Sequence, residues 1–310
     1  KCREFSLKLL NLCINICKIN LLNNNENITI IISLVQSLCS RITIANVGET
    51  FPEPAEELRL QIIEILILLV NNTTFHDTNN QLIPYEAITS IVTALSKSLH
   101  DLFPEVKRTS AELLCIICRL SPDIVRLHFK TLLKGLSINA LHQHAKIRVI
   151  SIKSLGLCIA CVKEDYENVM KDPIIPLLLR LINDKIPKIR QELADLCHTV
   201  LISRSKYITS LSKEDLNVIA ILLLLCKDDS DSIANSSLSH LASISKLFLY
   251  IYAINENRMI TNDIDDGEIE LNKPTNDDDF NSDYSIIFDE INKLSNDNIL
   301  KKLLLYHDNH

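Results

Sequence analysis

Apolar residues recur along this chain at the spacing of helices that are buried on one side. Val106 is followed five and eight positions later by Ala111 and Leu114, Ile147 by Ile152 and Leu155, and Ile189 by Ala194 and Cys197. Such spacing keeps each trio on one helical face. An earlier helix shows the same pattern at Leu58, Ile63 and Leu66, and a later one at Ile233, Leu238 and Leu241. Between them the pattern predicts further helices over about 27–40, 84–99, 122–138, 168–182 and 213–227. Each has a start signal: proline near the first turn in "LIPYEA" and "DPIIP", a serine cap followed by proline in "SPDIV", and a capping-box pattern in "LSKED".

The second helices of these pairs repeat. Val106, Ile147 and Ile189 are 41 and 42 residues apart, the period of a solenoid built from helix pairs. A basic residue follows most anchors, at Arg59, Lys107, Arg148 and Arg190, with Ala234 in the last unit; six residues before these positions stand Glu53, Asp101, His142, Asp184 and Asp228. This arrangement resembles the HEAT repeat, in which an acid in the turn and a base on the following helix pair with counterparts in the neighbouring repeat. The expected ladder comprises Asp101, Lys107, Arg148, Asp184 and Arg190, with interruptions at His142, where the acid is lost, and at Ala234, where the base is lost. The fold class read from the pattern is all-α, an α-solenoid of stacked HEAT-type antiparallel helix pairs. A single pair cannot bury its apolar face alone, so stability must come from stacking.

Residues 1–252 read as the solenoid, with about five to six helix pairs. Residues 253–284 read as an acidic, disordered or weakly ordered segment, and 285–310 as an amphipathic helix that begins a further repeat. The chain opens at Lys1 already inside an amphipathic pattern, as a fragment of a longer protein would. Positions six residues after each anchor, Glu64, Glu112, Lys153, Asp195 and Ser239, form a polar column on the second helices; the first four are the candidate partner surface.

Composition narrows the function. An apolar share of 47% supports a large core, while four glycines and no tryptophan fit helix better than sheet turns or phosphate-cradling loops. The net charge of −7 is unevenly spread: residues 254–310 hold 14 acidic and 5 basic side chains, and the remainder holds 25 acidic and 27 basic. A body so nearly balanced argues against a nucleic-acid partner. The longest apolar runs, Ile65–Val70 and Val218–Cys226, are too short to span a bilayer, which argues against a membrane role. Most of the ten cysteines sit in apolar helical runs, which points to a reduced cytosolic or nuclear protein.

Candidate chemistry is sparse. His142 and His144 resemble a metal pair but lie in a turn at the ladder position without acid or thiol neighbours. Cys115 with Cys118, and Cys158 with Cys161, form two CxxC pairs inside apolar helices, where free cysteine behaves as a small hydrophobe. No GxSxG, P-loop, GxGxxG or HExxH pattern occurs. His76-Asp77 and His100-Asp101 read as surface and ladder residues. The expectation is a non-enzyme without cofactor, metal or small-molecule substrate.

Four stretches carry a more specific likeness: "EPAEELRLQIIEILILLV" (53–70), "SLHDLFPEVKRTSAELL" (98–114), "LHQHAKIRVISIKSLGLCI" (141–159) and "LINDKIPKIRQELADL" (181–196). In this order they resemble the N-terminal region of the dynein axonemal assembly factor 5 family, with His142, Gln143 and His144 as signature positions. The resemblance implies a cytoplasmic scaffold for preassembly of outer and inner axonemal dynein arms. It also implies dynein chains, the intermediate chain favoured, and chaperones or other assembly factors as partners. The rival reading is a HEAT-repeat transport or adaptor protein, similar to a nuclear import receptor, with a different cargo.

Overall fold

The computed structural model describes residues 1–16, 25–43, 50–74, 83–163, 165–205 and 211–261. The described residues are helical and contain no strand. The fold is an α-solenoid of antiparallel helix pairs, as the repeat pattern predicts. Contacts divide the chain into two compact units, Lys1–Tyr166 and Glu167–His310.

The first unit holds α1 (Cys2–Ile16), α2 (Asn25–Ile42), α3 (Glu56–Thr74), α4 (Tyr85–Ser98), α5 (Pro104–Leu120), α6 (Pro122–Asn139) and α7 (Ala145–Ala160). The helices form two layers. One layer stacks α1 on α3, α3 on α5 and α5 on α7; the other stacks α2 on α4 and α4 on α6. Pairs α2/α3, α4/α5 and α6/α7 join the layers. The predicted stripe faces this junction: Ile63, Leu66, Ala111, Leu114, Ile152 and Leu155 are all fully buried. Small polar residues tie successive repeats within each layer. Ser154 donates to the Ala111 carbonyl at 3.0 Å, and the buried Asn139 amide donates to the Leu99 carbonyl at 2.8 Å.

The second unit begins in α8 (Tyr166–Val169) and continues through a π-turn (Met170–Ile174), α9 (Ile175–Ile182), α10 (Pro187–Arg204), α11 (Lys213–Leu225) and α12 (Asp231–Thr261). Helix α10 packs on α9, α11 and α12, and α11 packs on α12. The helix predicted over 168–182 is present, and a π-turn widens its register midway. Pro173 has no N–H to donate and its ring clashes with the preceding turn, so the register widens until the Ile175 amide bonds the Met170 carbonyl.

Two expectations need correction. Ser121 occupies the N-cap of α6 but its hydroxyl makes no capping bond, because its backbone, at φ −142° and ψ 64°, turns it away from the first turn. In the last unit Leu238 is 54% exposed where its equivalents are buried, since no described helix covers that side of α12. The "LSKED" signal is a full capping box: the Ser212 hydroxyl accepts from the Asp215 amide at 3.2 Å, and the Asp215 carboxylate accepts from the Ser212 amide at 2.9 Å. Helix α12 runs to Thr261, past the 252/253 boundary read from composition. Positions 262–310, with the rest of the acidic segment and the final amphipathic stretch, lie outside the described residues, as do His76 and Asp77.

Candidate protein-interaction surface

The turns that enter α3, α5, α7, α10 and α12 share one local geometry, and it explains the six-residue spacing. The residue at the acid position accepts the amide two residues on: Ala55 to Glu53 at 3.2 Å, Phe103 to Asp101 at 2.8 Å, Ile186 to Asp184 at 2.9 Å and Ser230 to Asp228 at 2.9 Å. This is the Asx-type turn that a short acidic side chain forms with its own backbone. The basic residue six positions on then donates to the carbonyl of that turn: Arg59 to Glu53 at 3.0 Å, Arg148 to His142 at 2.9 Å and Arg190 to Asp184 at 2.7 Å. Within a repeat, the arginine meets the backbone of its acid position rather than its carboxylate.

The carboxylate serves the preceding repeat. Arg59 donates through Nε and Nη2 to the two oxygens of Asp101, at 2.7 and 2.9 Å, with both side chains buried. Arg190 holds Asp228 in the same way, at 2.5 and 2.9 Å. The bond from Arg190 holds the Asp228 carboxyl below the usual carboxylate range, and the guanidinium rises correspondingly. Arg3 on α1 donates to both oxygens of Glu53 at 2.9 Å. Arg3 thus occupies the base position of a first repeat, ahead of the one anchored at Leu58. Its signal was present, since Cys2-Arg3 is followed by Leu7 and Leu10 at the stripe spacing.

At Lys107 the ladder is interrupted. The facing acid position is His142, and Lys107 has no carboxylate partner among the described residues. His142 keeps the turn but not the charge: its Nδ1 accepts the His144 amide at 3.1 Å, which requires an unprotonated nitrogen there. Burial and the charge of Lys107 both push the His142 pKa down, in keeping with that neutral form. Gln143 is exposed beside it, and the rings of His142 and His144 lie 5.2 Å apart. No described cluster of histidine, cysteine or carboxylate has the makings of a metal site.

The polar column is uneven. Glu64 and Lys153 are exposed. Glu112 is tied to Arg108 on its own helix. Asp195 accepts from Gln191 at 3.1 Å and lies 2.9 Å from His240 Nε2 on α12. His240 stacks on His198 with ring centroids 4.3 Å apart, and His198 Nε2 reaches the Ser243 hydroxyl at 2.8 Å. Burial and the neighbouring His240 lower the His198 pKa. Asp195, His240 and Ser236 superficially resemble a hydrolytic triad. The carboxylate and the hydroxyl both approach the same nitrogen, Nε2, at 2.9 and 3.4 Å, so the imidazole cannot orient on one and deprotonate the other.

The two CxxC pairs meet across α5 and α7. Cys118 Sγ lies 3.6 Å from Cys158 Sγ, and Cys161 donates to the Cys118 carbonyl at 3.6 Å. All four cysteines are buried, and the contact with Cys158 raises the Cys118 thiol well above its usual pKa. Such thiols are poor nucleophiles.

Comparison with known proteins agrees with this architecture. A designed armadillo-repeat protein, solved in complex with the peptide (KR)4, superposes with a TM-score of 0.51 at 14% identity, covering 79% of this chain and 92% of the designed one. Dynein axonemal assembly factor 5 of Mus musculus is 28% identical over 158 residues, 51% of this chain and 17% of the mouse protein. The Xenopus laevis protein of the same name is 26% identical over 191 residues, 62% of this chain and 20% of its own length. The matched region is thus about a fifth of these curated relatives. A family model described as "Dynein axonemal assembly factor 5-like, TPR repeats" matches residues 1–259. The 41- and 42-residue spacing of the anchors exceeds the 34 residues usual for a tetratricopeptide unit and suits HEAT-type pairs. With that model spanning most of the chain, the protein belongs to the dynein axonemal assembly factor 5-like family.

Proposed function

We propose that this chain is part of a non-enzymatic repeat scaffold that acts in the cytoplasm to preassemble outer and inner axonemal dynein arms. The bound subunit is a dynein chain, the intermediate chain first among them, and chaperones or other assembly factors act on the same complex. The observation that carries this reading is the family match over residues 1–259, which takes in helices of both units. Relatives of this region are named for dynein assembly, and a stack of helix pairs offers an extended surface on which an incomplete subunit can be held. The shared-nitrogen geometry at Asp195, His240 and Ser236 supports a scaffold over a hydrolase. Of the expected ladder residues, Asp101 and Arg190 are assigned to holding repeats in register and Arg148 and Asp184 to shaping their own turns, while Lys107 stands where the ladder is interrupted. Of the column, Glu64 and Lys153 are its open members, while Glu112 and Asp195 are part-exposed and already bonded to Arg108 and His240. No described helix is long and apolar enough to cross a membrane.

The test is affinity purification of the tagged protein from the cytoplasm of cells building motile cilia, with bound proteins identified by mass spectrometry. Enrichment of axonemal dynein intermediate or heavy chains with chaperones is the expected result. Recovery of Ran and transport cargoes without dynein chains would replace this reading with that of an import-receptor-like adaptor.

A further inference from the structure

The ladder step at Lys107 differs from its neighbours in charge as well as in contact. Lys97, His100, Lys107, Lys134 and His142 act on one another there. Burial and the charges of Lys134, Lys107 and Lys97 lower the His100 pKa, and burial lowers that of Lys107 itself. The carboxylate that acts on Lys107 is Asp101, and both Asp101 oxygens are already engaged by Arg59, with the Phe103 amide sharing one of them. At Arg3, Arg59 and Arg190 the base faces a carboxylate from the next repeat; at Lys107 it faces an imidazole whose Nδ1 is turned to its own backbone.

Apolar side chains flank the same step. Leu102, next to Asp101, is 93% exposed, and Leu141, next to His142, is 43% exposed. A ladder residue therefore has a solvent-facing leucine beside it in each of the two turns.

We propose that the Lys107–His142 step is a docking position for an acidic segment of a protein partner. An Asp or Glu of that segment supplies the carboxylate that the ladder lacks here, and an adjacent apolar side chain rests on Leu102 and Leu141. Charge complementarity selects this occupant. The cationic surface is local, because the adjacent Arg108 is neutralised on its own helix by Glu105 and Glu112. A site of that size suits one or two carboxylates rather than a run of nucleic-acid phosphates. The inference stands independently of the dynein reading, since any partner with such a segment would satisfy it.

Fluorescence anisotropy with the full chain and a short labelled peptide of alternating glutamate and leucine tests it. Binding to the wild-type protein should weaken with added salt and should fall about tenfold or more, ~1.4 kcal/mol, when glutamine replaces glutamate in the peptide. Lys107→Ala should weaken it by a similar factor. His142→Asp should do the same for a different reason, because it fills the ladder from within, and its thermal midpoint should match or exceed that of the wild type. That combination separates a lost site from a lost fold. Absence of wild-type binding, undiminished binding to His142→Asp, or tighter binding of single-stranded DNA than of the peptide would each overturn the proposal.

Discussion

Arg59 and Asp101, 42 residues apart in sequence, form a two-point ion pair with both side chains buried. The remaining Arg59 nitrogen donates to the carbonyls of Glu53 and Pro54, and its guanidinium lies 4.7 Å from the centre of the Phe51 ring. Removing one partner strands the other without solvent. Asp101→Ala should therefore cost about 3–5 kcal/mol in denaturant unfolding. Arg59→Met combined with Asp101→Ala should recover a substantial part of that loss, because no buried charge is then left unpaired.

The Arg190–Asp228 pair makes a prediction in pH. The Asp228 pKa is lowered in the folded state by Arg190, from a reference value of 3.8. In the unfolded chain the carboxyl titrates near its ordinary value, so the unfolded state takes up the proton first as pH falls. The contribution is fully present well above pH 3.8 and is lost as pH drops through the reference value toward the lower folded one. Urea unfolding across this range should show a shallower acid loss for Arg190→Met than for wild type.

His142 makes the opposite end of the acid range informative. Its folded pKa is lowered from 6.5, so folding is favoured while the ring is neutral and stability falls once pH drops below that value. His142→Asn retains an acceptor for the His144 amide without titrating. The difference in stability between wild type and this variant should change between about pH 7 and 5, and ring titration by NMR should place the folded midpoint below 6.5.

Gly135 is a packing requirement. A Cβ there would lie 2.9 Å from Leu99 Cβ and 3.3 Å from His100 Nε2. A Cβ is fixed to the backbone, so α4 and α6 would have to separate. Gly135→Ala should destabilise by about 1–3 kcal/mol, despite the higher helix propensity of alanine.

The capping box at α11 is a local device of ordinary size. Ser212→Ala should cost about 1 kcal/mol in thermal unfolding, and Ser212→Asp should retain most of the stability by capping the same amides.

The parts legible in the sequence were those set by neighbouring residues. The stripe through Val106, Ala111 and Leu114 follows from 3.6 residues per turn, and the capping box at Ser212 from a three-residue spacing. The π-turn at Pro173 is not legible in the sequence, because apolar periodicity continues across it while the backbone register does not. At Ser121 the residue type suits a cap, but residue type does not guarantee the backbone angles that aim the hydroxyl.

By itself, the sequence determined that this protein is a solenoid of helix pairs, the period at which they recur, and that one acid position holds a histidine. Tertiary structure alone decided which side chains meet: Arg3 with Glu53, Arg59 with Asp101, Arg190 with Asp228, Asp195 with His240 and Cys118 with Cys158. The reason is physical. Periodicity and capping act within a few residues, whereas these contacts join side chains 38 to 50 residues apart, and their partners are chosen by how one repeat is seated on the next.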